Sequence, residues 1–116
     1  DTGRKPSYYD AIITGDLGHV GKDILIELAQ TKGYNIKANY NDCGVLIFDK
    51  ETQDTHSGGS GCACCGTVFS GYLFNMLQTK KYKKILLIAT GALMNATSSQ
   101  QCESIPGIAH AISIEV

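Results

Sequence analysis

The chain has 116 residues, of which 18% are charged, and a formal net charge of −1. That length sets a ceiling of one domain, residues 1–116, and leaves room for a small but real core. The near-neutral balance argues against a nucleic-acid partner, because the only dense charges are Lys80, Lys81, Lys83 and Lys84, which read as a solvated turn.

No apolar run approaches the roughly 18 residues that span a bilayer, so the chain is not expected to cross a membrane by itself. The opening segment DTGRKPSYYD lacks the apolar centre of a signal peptide. Five cysteines cannot all pair within one chain. Reduced thiols in a cytosol-like compartment are the expectation.

In chain order, YDAIIT (Tyr9 to Thr14) predicts a short buried strand. GDLGHVG follows as a turn into a helix over Gly21 to Lys32, where Ile24, Leu25, Leu28 and Ala29 fall at helical spacing and Gly33 supplies the stop. CGVLIFD (Cys43 to Asp49) predicts a second strand, followed by a polar turn. Phe69, Tyr72, Leu73, Met76 and Leu77 recur at helical spacing and predict a second helix over Cys62 to Lys80. KILLIATG reads as a buried strand and IAHAISIEV as a last one with one drier face. The order β-α-β-α-β-β argues for an α/β layer. Two helices cover about one face of such a sheet, and KILLIATG is too apolar for a wet side. The chain is therefore expected to pack against more protein.

HSGGSGCACCGTV (His56 to Val68) admits three readings. A closed zinc site needs spaced ligand pairs, and CACC has none matched by a second. A reactive thiol fits Cys62 at a helix start, where the helix dipole lowers a thiol pKa, but only His56 stands by as a base. The favoured reading is packing: Gly58, Gly59 and Gly61 allow sharp turns, and Ala63, Cys64, Cys65 and Gly66 are small. Cys62, Cys64 and Cys65 are then expected to be buried, reduced and metal-free. Asp16 and His19 follow the first strand, where α/β proteins place binding residues, yet Asp16 suits a helix cap equally well. His110 lies in a strand and is read as structural. TGDLGHVG has neither the ending nor the spacing of a phosphate loop.

YDAIITGDLGHVG, NDCGVLIFD, GGSGCACCGTVFSGYL, KKILLIATGALMN and QCESIPGIAHAISIE together resemble the C-terminal part of the stage V sporulation protein AD family. The resemblance covers nearly the whole chain. It implies a thiolase-like fold with five αβαβα layers, of which this chain would be part of the C-terminal half. The helix from Cys62 would be that half's central helix.

In condensing enzymes of this fold, the strand like YDAII leads into a His-Gln-Ala-Asn segment. Aligned without gaps, the catalytic His position falls on Gly15 and the second acid–base position on Gly59, and neither residue can transfer a proton. The resemblance thus implies a spore protein without catalytic residues, cofactor or resident metal. It would bind dipicolinic acid and take part in its uptake during sporulation. It would sit peripherally at the inner membrane of the developing spore, with other proteins of a membrane complex. The rest of the same polypeptide or a homo-oligomer would cover its open faces. The candidate ligand-binding residues are Asp16, His19, His56, Gly59, Ser60 and Gly91. Backbone N–H groups of the Gly15–His19 and Gly58–Cys62 loops suit a carboxylate. The alternative is a thiol-dependent acyltransferase of the condensing-enzyme type.

Overall fold

The computed structural model describes residues 2–59, 61–92 and 95–116. Four strands form one mixed sheet: β1 (Ala11–Thr14), β2 (Tyr40–Asp42), β3 (Lys84–Ile88) and β4 (Ala111–Glu115), in the spatial order β2-β1-β3-β4. β1 runs parallel to both β2 and β3, while β4 returns antiparallel to β3. The helices are α1 (Gly18–Thr31), α2 (Cys43–Leu46), α3 (Cys64–Val68), α4 (Phe74–Gln78) and α5 (Ala96–Gln100). One turn of 3₁₀ helix, Pro6–Tyr8, precedes β1.

The sheet separates two clusters. On one face Ala11, Ile13 and Ile85 pack with Cys43, Cys64, Val68, Leu73 and Leu77. On the other, Tyr9, Ile12 and Tyr40 pack with Leu25 and Ile26 of α1 and with Leu86 and Ile88 of β3. This split follows from strand alternation: Ile85 and Leu87 point one way, Leu86 and Ile88 the other. β1 is buried along its whole length, as a strand covered on both faces must be.

The second strand is not where the apolar run predicted it. Cys43 to Asp49 does not extend the sheet; Cys43–Leu46 is a helical turn and the strand lies just upstream, at Tyr40–Asp42. The Asp42 carboxylate accepts the Gly44 N–H at 2.9 Å and caps the turn, which lifts the apolar run off the sheet and onto the core. A short apolar run has no periodicity that separates strand from buried helix.

The predicted long helix starts two residues late, at Cys64, and carries a π turn over Phe69–Leu73 before continuing as α4. That turn holds one extra residue. Its effect is visible in the buried set, Cys64, Val68, Leu73 and Leu77, whose steps are four, five and four residues. The wide step turns Tyr72, expected inside, out to solvent. At the other helix, α1 ends as Gly33 predicted. Gly33 adopts φ +84°, its N–H donates to the Gln30 carbonyl, and the Tyr34 N–H donates to that of Ala29 at 2.9 Å.

Candidate functional site

The loops that follow β1 and β3 leave the same end of the sheet, because the two strands are parallel. This is the end at which open α/β sheets bind ligands. Its centre is Asp42, at the end of β2 and fully buried. One carboxylate oxygen accepts the N–H groups of Gly18 and Gly44, each at 2.9 Å. The other accepts the Leu17 N–H at 2.9 Å and the Thr14 hydroxyl at 2.6 Å. Thr14 spends its proton on Asp42, so the Tyr40 hydroxyl, 2.8 Å away, donates to Thr14. A relay Tyr40–Thr14–Asp42 results. Burial pushes the Tyr40 phenol up to about 12, against a partial lowering by Thr14.

Asp42 also explains why α1 begins at Gly18, three residues before the predicted start at Gly21. The first N–H groups of a helix need acceptors, and here they come from a neighbouring strand. Asp16 therefore is not the cap of α1. Its carboxylate reaches across to the glycine loop and accepts the Gly61 N–H at 2.8 Å.

The glycine loop is built to admit that carboxylate. Gly59 has φ +102°, and a Cβ placed there would stand 2.9 Å from Asp16 Oδ1. Gly44, on the other side, would press a Cβ against the same oxygen and against Asp42 Oδ1. Gly15 is buried, and a Cβ on it would lie 2.8 Å from the Thr90 N of the loop after β3. At Gly15 and Gly59 alike, a Cβ would press on a neighbouring loop.

The candidate residues divide as follows. Asp16, His19 and Gly59 come together: His19 is half-buried and its ring edge lies beside Gly58. Gly91 stands one loop away, next to Thr90, where its carbonyl accepts the Ile108 N–H at 2.9 Å. With Ala92, Pro106, Gly107 and Ile108 it lines a shallow, mainly apolar hollow of about 370 Å³. His56 does not join them. Its backbone is left-handed, at φ +50°, and its side chain is 88% exposed and 3.6 Å from Asp54. Ser60 lies outside the described residues. His110 precedes β4 rather than lying in it and is exposed, though its carbonyl accepts the Ala89 N–H.

The N–H groups expected to receive a carboxylate are largely engaged within the chain. Those of Leu17 and Gly18 go to Asp42, that of His19 to Ser57, that of Gly59 to Gly44 and that of Gly61 to Asp16. The protein's own carboxylates stand where an anion was expected. The residues missed by sequence reasoning are Asp42, Thr14, Tyr40 and Gly44. One local signal was present: an Asp immediately before Cys-Gly is a helix-cap pattern.

The cysteines part company as well. Cys43 and Cys64 are buried, Cys65 is half-buried, and Cys62 and Cys102 are exposed. Cys62 is thus not part of the packed helix start. Burial pushes the Cys43 thiol far up, and the neighbouring thiols of Cys65 and Cys64 add to it. Among the described residues, no three His, Cys, Asp or Glu side chains gather in a way that would hold a metal ion. Nor is any helix long and apolar enough to cross a membrane.

A profile of the family described as stage V sporulation protein AD matches residues 1–115. The stage V sporulation protein AD of Bacillus subtilis strain 168 is 40% identical over 115 residues, covering 99% of this chain and 34% of its own length. The chain spans about a third of the length of that curated relative.

Proposed function

Because the chain belongs to the stage V sporulation protein AD family, we propose that it forms part of a non-catalytic spore protein that binds dipicolinic acid and takes part in its uptake during sporulation. The observation that carries the non-catalytic reading is the pair Gly15 and Gly59. Neither has a proton to transfer, and each packs so closely on Thr90 or Asp16 that the neighbour would have to move to admit a side chain.

The fold in this reading is part of the C-terminal half of a thiolase-like αβαβα protein. Support comes from a mixed sheet with α1 on one face and α3–α4 on the other. The outer side of α3 and the π turn is small and exposed, at Gly66, Thr67, Ser70 and Gly71, and so offers a close approach to a helix from the rest of the polypeptide. Exposed Tyr72, Phe74 and Ile112 also call for a cover, from that polypeptide or from a second copy.

Dipicolinate is a flat ring with two carboxylates. The apolar hollow beside Gly91 suits the ring, and His19, half-buried beside Gly58, offers a side-chain donor at the loop ends. Gly59 would leave room beside it, with Asp16 holding the glycine loop in place. His56 would contribute only by leaving Asp54. Other proteins of a spore membrane complex would be its partners, with the protein lying peripherally at the inner membrane.

Calorimetric titration of dipicolinate into the full-length protein tests the assignment. His19→Ala should weaken binding by about 1–3 kcal/mol, the loss of a hydrogen bond to a charged group. His56→Ala should weaken it less. Silence in both variants, with binding or turnover abolished by Cys62→Ala, would instead favour thiol-dependent acyl transfer.

A further inference from the structure

α1 carries two apolar faces, and the chain uses only one. Leu25 and Ile26 pack toward the sheet. Val20, Ile24 and Leu28 are 58, 52 and 56% exposed, and Leu17 continues their line. The steps of three, four and four residues put these four side chains in one stripe along the 14-residue helix. A stripe of this kind is what one helix offers another. One flank of it is acidic. Asp23 and Glu27 are exposed on one flank, and neither forms an ion pair among the described residues. The cation within the helix, Lys22, is turned away to the Asn41 side-chain oxygen at 2.9 Å, and exposed Lys32 stands beyond the helix end, clear of the flank of Asp23 and Glu27.

We propose that this stripe docks an amphipathic helix of a partner protein whose apolar seam is bordered by lysine or arginine. The proposal rests on the layering put forward above, in which the rest of the polypeptide packs on the α3–α4 side and leaves α1 outermost. Charge selects the occupant. A second copy packed antiparallel through a two-fold axis would bring Asp23 and Glu27 of both helices to the same flank, like charge against like. An anionic membrane surface would meet the same repulsion. A basic amphipathic helix buries the stripe and pairs with both carboxylates. α1 is about 21 Å long at ~1.5 Å per residue, enough for several turns of contact.

The test uses the full-length protein and two fluorescent helical peptides of about 18 residues, long enough to match α1. Both carry the same leucine seam, one bordered by lysines and the other by glutamates. Anisotropy should show the lysine peptide binding at least about tenfold more tightly, as complementary flanking charges require. The pair Ile24→Ser and Leu28→Ser should abolish binding. Asp23→Lys with Glu27→Lys should reverse the preference. All four positions are exposed, so the variants should fold, and unchanged thermal melting checks that they do. Equal binding of the two peptides, or binding that survives the serine pair, overturns the proposal. So does a dimer dispersed by Ile24→Ser, which would make a second copy the occupant. Maleimide labelling of Ile24→Cys, read by peptide mass, separates the two layers of the argument. Fast labelling in the monomer with no peptide preference refutes the docking alone. Protection in the monomer refutes the layering and the docking together.

Discussion

Replacing Asp42 by alanine removes the acceptor of three backbone N–H groups and one hydroxyl at a fully buried position. Each N–H left without an acceptor costs about 1–3 kcal/mol, and water entering the vacated space recovers part of that. A loss of about 3–5 kcal/mol is expected, a large share of the ~5–15 kcal/mol that holds a domain together. Asparagine should behave differently. Its oxygen, placed at Oδ1, keeps the Gly18 and Gly44 N–H groups. Its amide nitrogen then faces Thr14, which can reverse its hydroxyl toward Tyr40, and Leu17, whose N–H meets a donor. The Leu17 N–H and the Tyr40 hydroxyl proton then lose their acceptors, at about 1–3 kcal/mol together once water reaches the more exposed Leu17 end. Urea unfolding of the full-length protein reads both values. Alanine costing under about 1 kcal/mol, or asparagine costing as much as alanine, would refute the account of Asp42 as the organiser of these loops.

Gly59→Ala should destabilise by about 1–3 kcal/mol in the same urea unfolding, since alanine dislikes φ +102° and its Cβ meets Asp16. In native protein, iodoacetamide should modify Cys62 and Cys102 readily and Cys43 last and more slowly than in the unfolded chain, by peptide mass; a fast Cys43 would contradict its burial and raised pKa. The Tyr40 phenol should ionise near 12, not at 10.0, in an alkaline absorbance titration. Because its folded pKa is the higher one, its contribution to stability is complete below the unfolded value and is lost as pH rises through the folded one; Tyr40→Phe should flatten that alkaline decline.

The parts of this fold that were legible in the sequence are those set by local chemistry. Gly33 ends α1 because only a left-handed residue closes that helix with two backbone hydrogen bonds. The β1 and β3 cores are apolar because both faces are covered. What escaped was decided by contacts distant in sequence. The start of α1 is set by Asp42, more than twenty residues away. The same carboxylate turns Cys43–Leu46 into helix rather than strand. The π turn moves Tyr72 outward, which no fixed period of 3.6 anticipates. At the site, Asp16, His19 and Gly59 were legible as loop neighbours. The internal use of their N–H donors was not, because it depends on Asp42 and Asp16 folding back onto them.

The central claim is that these loops bind a ligand without covalent chemistry. It is tested most directly by titrating dipicolinate calorimetrically into full-length protein whose exposed cysteines have been alkylated. Saturable binding with the same affinity as the untreated protein is the predicted result. Loss of binding on alkylation, or no binding in either form, would contradict it.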